Sequence, residues 1–210
     1  PSSISTRRSI ASSFCVTGTL SEPREQIHAV IKAAGGAVHD RVGKGTTYLV
    51  AGDKVGENKL TAAEKRGMRI VAGKCLMDRN APEDLRDDVA QAERDCLELI
   101  ERWHGRGRNA YAVTVRFAPT STPAQLAMAG ALCKADPSLY MHTHVAENRA
   151  EVQWVAELFP EARSYLDVYA RAGLLHRRSV LAHGIWLDDD DRSLLRETGA
   201  QIAFCPCSNL

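Results

Sequence analysis

The stretches LYMHTHVAEN at residues 139–148 and SVLAHG at residues 179–184 give the strongest indication of the fold of this chain. Each stretch is an apolar, strand-like run that ends in a histidine, His144 in the first and His183 in the second. A carboxylate, Glu147, follows His144 three residues later. Two strand-end histidines beside a carboxylate fit a zinc site that activates water next to a general base.

The segments around these two stretches alternate between strand and helix patterns. Repeated βα units of this length fit part of a (β/α)₈ barrel, in which catalytic residues lie at the C-terminal ends of the strands. Arg116, His144 and His183 all fall at such ends. The patterns predict strands at residues 110–115, 139–145, 179–183 and 200–204 and helices at 84–102, 123–135, 150–158, 165–172 and 189–198.

Length and composition indicate an ordinary globular chain of one medium domain or two small ones. Hydrophobic residues make up 44% and charged residues 25% of the 210 positions. Neither a membrane-spanning run nor a signal-peptide core is recognisable, so we expect a cytoplasmic protein with no membrane partner. The six cysteines include no CxxC pair, which indicates reduced thiols.

The net charge of +1 conceals an uneven distribution. Residues 1–75 hold twelve Lys and Arg against six Asp and Glu, whereas residues 76–210 hold fifteen against twenty. The basic first part could lie near an anion such as a nucleic-acid phosphate. The change in balance also favours two units of different origin.

The first unit has the pattern of a small parallel sheet with helices on its faces. Strands are predicted at residues 14–18, 37–38, 46–50 and 69–71. Helices are predicted from Ser21 to Ala34, where Gly35 and Gly36 end the helix, and over residues 58–66.

The first unit, at residues 12–71, resembles a BRCT domain of the type found in bacterial NAD-dependent DNA ligases. The resemblance is carried by FCVTGTL at residues 14–20, the Gly35-Gly36 pair, TTYLVAG at residues 46–52 and Lys59-Leu60. It implies a phosphate site formed by Thr17, Gly18 and Lys59, with DNA ends or phosphopeptides as partners. The alternative is that Thr17 and Gly18 make a turn and that Lys59 is solvated.

The second unit resembles guanine deaminase, a zinc-dependent amidohydrolase, from about residue 63 to residue 210. The last helix and strand of the first unit fit both families, which places the junction between Leu60 and Val71. We therefore expect a tail at residues 1–11, a BRCT-like domain at 12–71 and a partial barrel at 72–210. The resemblance is carried by GKCLMDRNAP (73–82), WHGRGR (103–108), RFAPTS (116–121), THVAEN (143–148), YLDVY (165–169), AHG (182–184) and CPCSNL (205–210).

This resemblance implies hydrolytic deamination of guanine to xanthine and ammonia. His144 and His183 would be zinc ligands, and Glu147 would move protons between the attacking water, the ring and the departing amine. Arg116 would bind the polar edge of the purine, and Phe117 would contact its ring.

The family's first-strand HxH pair and its last-strand Asp ligand are absent from the sequence. A catalytic zinc needs three protein ligands and an open position, and only two ligands are identifiable. We therefore expect a fragment or a fusion of two partial genes that is inactive alone. A second chain, for example in a homo-oligomer, could supply what is missing.

Three further patterns have a bland and a functional interpretation. His142 mimics the first position of an HxH pair, but we interpret it as incidental, on the other face of its strand or beside the ligands. Cys205 and Cys207 are too few for a thiolate metal site. The four aspartates at residues 188–191 look like a calcium loop, but they open a helix, where negative charge offsets the macrodipole.

Overall fold

The structure is a computed structural model that describes residues 13–17, 24–33, 36–41, 48–51 and 70–209. The chain divides into two compact units, with the division between Arg69 and Ile70. In the described residues, no helix is long and apolar enough to cross a bilayer.

The first unit contains a small parallel sheet, as predicted. Its strands lie in the order β2-β1-β3, so the first strand is central. The backbone N–H of Gly36 donates to the carbonyl of Ile31 at 2.8 Å, which ends the helix near the predicted glycine pair. The elements are β1 (Ser13–Thr17), α1 (Arg24–Ala33), β2 (Ala37–His39) and β3 (Tyr48–Ala51).

The second unit has a parallel sheet in the order β4-β6-β7-β8-β9, with β5 also paired to β6. Residues 70–72 pair in parallel with the strand that begins at Asn109, so they belong to this sheet. The strands are β4 (Ile70–Ala72), β5 (Cys75–Leu76), β6 (Asn109–Val115), β7 (Tyr140–Val145), β8 (Ser179–His183) and β9 (Gln201–Ala203).

Helices alternate with these strands, and most begin at a side-chain cap. The side chains of Asp88, Thr122, Asn148, Ser164 and Asp188 each accept a backbone N–H from the first turn that follows. Such caps satisfy donors that the helix itself leaves free. The helices are α2 (Val89–Trp103), α3 (Pro123–Ala135), α4 (Arg149–Leu158), α5 (Tyr165–Arg171), α6 (Asp189–Thr198) and α7 (Pro206–Asn209).

The single helix predicted over residues 84–102 is wrong at its start. A 3-10 turn at Glu83–Leu85 is followed by extended backbone, and α2 begins only after Asp88. The carboxylate of Asp87 accepts the Met77 N–H at 2.8 Å and pairs with the Lys74 ammonium at 2.8 Å. Because these contacts hold residues 86–88 extended, the apolar spacing across them does not report one continuous helix.

Strand β7 presents two different faces. Met141, Thr143 and Val145 are buried, whereas the alternate positions His142 and His144 are half-buried on the opposite face. His142 therefore shares a face with His144, because side chains two residues apart in a strand point the same way. Of the two interpretations of His142, the opposite face is wrong, and a position beside His144 remains, with the two ring centroids 6.1 Å apart.

Helices α3 and α5 are held close by Gly130. A Cβ atom at this position would lie 1.8 Å from the carbonyl oxygen of Ala172, at the end of α5. The hydrogen side chain is therefore needed for the backbones to approach. This contact fixes the helix that carries Tyr169, whose side chain is buried.

The aspartate run opens α6, as predicted. Asp188 and Asp191 form a reciprocal capping box, in which each side chain accepts the other's backbone N–H. Arg163 pairs with both carboxylates, and Ser164 donates to Asp191 at 2.6 Å. The aspartates therefore serve the helix start, and the calcium interpretation has no support in this geometry.

Candidate active site

His144, His183 and Glu147 lie together at the C-terminal ends of β7 and β8. The two imidazole rings stack with centroids 5.4 Å apart and an angle of 29° between their planes. The Nε2 atom of His183 lies 3.6 Å from Oε2 of Glu147. The structure therefore brings together the three residues predicted as ligands and base.

The ring of His144 is oriented by the backbone of the neighbouring strand. Its Nδ1 lies 2.7 Å from the carbonyl oxygen of Arg116. A carbonyl only accepts, so Nδ1 carries the proton and Nε2 of the neutral ring keeps a free lone pair. A backbone acceptor on the remote nitrogen is the usual way to orient a metal-binding imidazole.

His183 reaches the same place through an unusual backbone conformation. Its register partner in β7 is Val145, which is buried in the core, so a regular strand would direct both side chains to that face. His183 instead has a φ of 74°, in the left-handed region. This conformation redirects the imidazole toward His144.

The other nitrogen of His183 is held by α7. The amide nitrogen of Asn209 donates to Nδ1 at 3.0 Å, and the Cys205 N–H donates to the amide oxygen of Asn209 at 3.2 Å. Nδ1 therefore accepts, and the proton of the neutral ring lies on Nε2, facing Glu147. Burial lowers the pKa of His183 and favours this neutral ring, although the Glu147 carboxylate opposes the shift.

Glu147 follows a tight turn that is pinned between the two strands. Ala146 has a φ of 48°, and its carbonyl accepts the backbone N–H groups of Ile185 and Trp186 at 3.1 and 3.2 Å. The side chain of Glu147 keeps 33% of its surface exposed. The carboxylate is thus fixed by its backbone and still reachable from solvent.

Arg116 and Phe117 directly follow β6, and the Arg116 carbonyl contacts His144. The guanidinium carbon of Arg116 lies 5.3 Å from the centroid of the Phe117 ring, and Nη1 lies 3.6 Å from the Met77 sulfur. The Phe117 ring meets the Trp154 ring edge to face at 6.2 Å. This arrangement offers a cationic donor beside an aromatic surface.

Sequence reasoning missed the residue that links these segments, Tyr169 on α5. Its hydroxyl donates to the His144 carbonyl at 2.7 Å and accepts the Ala118 N–H at 2.9 Å and the Thr143 hydroxyl at 3.1 Å. Burial raises the pKa of Tyr169, so the hydroxyl stays protonated. The signal in the sequence is the string YLDVY at residues 165–169, which indicates no role for this tyrosine.

The donor set fits a metal in part. His144 presents an unprotonated Nε2, whereas His183 presents an Nε2 whose proton a metal would have to replace. Imidazole nitrogens suit zinc, and two of them supply two ligand positions. In the part of the chain that the structure describes, no cluster of three or more His, Cys, Asp or Glu is arranged to hold a metal ion.

The residues predicted to bind phosphate in the first unit are not brought together by the described structure. Thr17 is the last residue of β1. Gly18 and Lys59 lie outside the described residues. The phosphate site therefore stays a prediction.

The model of the amidohydrolase family matches residues 17–210 of this chain. The chain belongs to the amidohydrolase family. Membership implies a metal cofactor, and the parallel sheet of the second unit is part of an amidohydrolase barrel, as predicted. The match begins inside the predicted BRCT-like domain, and a BRCT domain has no support from these comparisons. The DNA or phosphopeptide partner is likewise unsupported.

Two guanine deaminases are among the amidohydrolases most similar to this chain. The Escherichia coli strain K12 guanine deaminase is 48% identical over 149 residues, which cover 71% of this chain and 34% of that protein. The solved structure of E. coli guanine deaminase has a TM-score of 0.70 at 44% identity. The match covers 77% of this chain and 39% of the E. coli chain. The Bradyrhizobium japonicum guanine deaminase structure has a TM-score of 0.72 at 36% identity, and covers 79% and 36%. This chain therefore spans well under half the length of these relatives.

Proposed function

We propose that this chain carries part of the active site of a guanine deaminase, which hydrolyses guanine to xanthine and ammonia. The observation that carries the proposal is the grouping of His144, His183 and Glu147 at adjacent strand ends. Its support from relatives is the 48% identity to the E. coli guanine deaminase. The reaction consumes one water and exchanges the exocyclic amine for a carbonyl oxygen.

His144 and His183 would hold a zinc ion through their Nε2 atoms. When bound, zinc lowers the pKa of its water to about 7 and so supplies hydroxide at neutral pH. The Arg116 carbonyl and the Asn209 side chain orient the two rings from behind. Further ligands would come from outside the described residues, either from more of the same protein or from a second copy.

We assign proton transfer to Glu147. It lies beside the His183 ring and keeps solvent access. We infer that it accepts a proton from the attacking water, delivers it to the purine ring nitrogen and then assists loss of the amine as ammonia. Positioned proton transfer of this kind contributes about 10²–10⁴-fold to a rate.

We assign binding of the purine to Arg116 and Phe117. The guanidinium would donate to acceptors on the polar edge of guanine, and the Phe117 ring would contact the face of the base. The Trp154 ring supports Phe117 from its side. A cytoplasmic location and a homo-oligomeric state stay predictions.

The experiment measures conversion of guanine to xanthine by the 210-residue chain with added zinc, monitored by the change in absorbance. The stoichiometry of bound zinc is measured on the same protein. Glu147→Gln removes the carboxylate at the site. Glu157→Gln is the matched control, because Glu157 is exposed on α4 and, among the described residues, its carboxylate accepts from Gln153 alone. Turnover that Glu147→Gln abolishes and Glu157→Gln preserves supports the proposal. Folded protein that binds no zinc would contradict the proposal for this chain, whereas zinc binding without turnover is the result expected of a partial site.

A further inference from the structure

A buried hydroxyl joins the segment that carries His144 to the segment that carries Arg116 and Phe117. We propose that Tyr169 is a positioning residue that holds His144 in register with the Arg116 carbonyl. The inference rests on the proposed role of His144 as a ligand. Its geometry, however, is independent of any metal.

The hydroxyl of Tyr169 makes hydrogen bonds to both segments. It donates to the His144 carbonyl at 2.7 Å and accepts the Ala118 N–H at 2.9 Å. The Thr143 hydroxyl donates to the same oxygen at 3.1 Å. One phenol thereby ties the end of β7 to the 3-10 turn Ala118–Thr120 that follows β6.

The same two segments meet a second time through the carbonyl of Arg116. This oxygen accepts from the His144 backbone N–H at 3.3 Å and from His144 Nδ1 at 2.7 Å. The ring orientation of His144 therefore depends on the distance between the two segments. The Tyr169 bridge is placed to fix that distance.

The bridge is confined because the Tyr169 side chain lies in the protein interior. Tyr169 is fully buried, and its ring lies 5.7 Å from the Tyr165 ring. Removal of the hydroxyl would leave the Ala118 N–H and the His144 carbonyl without this partner. Buried polar groups left unpaired favour a local rearrangement that restores a partner.

The test is the tautomer of His144, read from long-range ¹H–¹⁵N spectra of the full chain. In the unsubstituted protein we expect the Nδ1–H form. In Tyr169→Phe we expect a mixture of tautomers, because the Arg116 carbonyl is no longer held against Nδ1. Tyr111→Phe is the matched control: Tyr111 is also buried, and its hydroxyl accepts the Lys74 backbone N–H at 3.2 Å.

A merely structural role would lower the thermal stability of both variants and leave the His144 tautomer unchanged in both, and this outcome overturns the inference. If Tyr169→Phe does not fold, Thr143→Val removes the third member of the bridge and the same criterion applies. Zinc affinity is a second readout, with a loss of about tenfold expected for Tyr169→Phe alone. A tautomer change without zinc binding in any variant would support the positioning role and count against the proposed function.

Discussion

The Nε2 atom of His183, the last residue of β8, lies 3.6 Å from the Oε2 atom of Glu147, which follows the turn after β7. The contact joins a redirected imidazole to a carboxylate on a pinned turn. It places the Glu147 carboxylate next to Nε2 of His183, the nitrogen that would bind a metal. The assignment of ligand and base roles within this group can therefore be tested residue by residue.

Substitution of His144 should separate ligand from bystander on β7. We expect His144→Gln to lose bound zinc, because it removes one of two presented imidazoles. His142→Gln should retain zinc, since His142 lies two residues before His144 in the strand and the two ring centroids are 6.1 Å apart. Zinc content after dialysis measures both. Equal loss of zinc in the two variants would mean that His142 is a ligand as well.

Asn209 should control the readiness of His183 to bind a metal. Its amide donates to Nδ1, which leaves the proton on the nitrogen that a metal needs. Asn209→Asp supplies an acceptor in the same place, so the proton moves to Nδ1 and Nε2 becomes free. We expect zinc affinity to rise by about tenfold, the scale on which outer partners tune metal sites. Competition with a chelator measures the affinity.

Gln201→Glu is the control for that experiment, because it adds the same charge on an exposed position of β9. A rise of equal size in both variants would show that net charge, and not the orientation of His183, determines the affinity.

Asp191 should be a large contributor to the stability of the second unit. Its side chain is 4% exposed and accepts from Ser164 while it pairs with Arg163. Asp191→Asn removes the charge from this buried set and should lower the free energy of unfolding by about 2 kcal/mol. Urea denaturation gives the value. Asp190→Asn, at a side chain that is 82% exposed, should change it little.

Acid should weaken the start of α6. The Asp191 backbone N–H, followed by the Arg163 side chain, lowers the pKa of Asp188. A carboxyl whose pKa is lower in the folded state stabilises the fold above its unfolded pKa, and that stability is lost as the pH falls through the folded value. We expect Asp188→Asn, which keeps a capping side chain, to flatten the fall in melting temperature below about pH 4. An unchanged dependence of the melting temperature on acid pH would show that Asp188 does not contribute to it.

Much of the second unit was predictable because its elements follow local patterns. The period-2 runs before His144 and His183 give β7 and β8, and the Asp188 cap gives the start of α6. The resemblance to guanine deaminase implies which residues form the site. The structure brings His144, His183 and Glu147 together. The break before α2 was missed, since it depends on Asp87 contacts with residues outside the helix.

The supports of the site were not predictable from local patterns. Tyr169 and Asn209 act through hydrogen bonds to residues more than twenty positions away. No periodicity reports such contacts, because one polar atom does not change the apolar spacing of its helix. The left-handed conformation of His183 is equally hidden, since the strand pattern around it is regular.

That conformation sets stability against chemistry at one position. A left-handed backbone costs a residue with a Cβ about 1–2 kcal/mol, a cost that glycine avoids. His183→Gly would therefore relax the end of β8 while it removes the imidazole. The imidazole at the end of β8 is therefore held at a backbone cost that a glycine in its place would not carry.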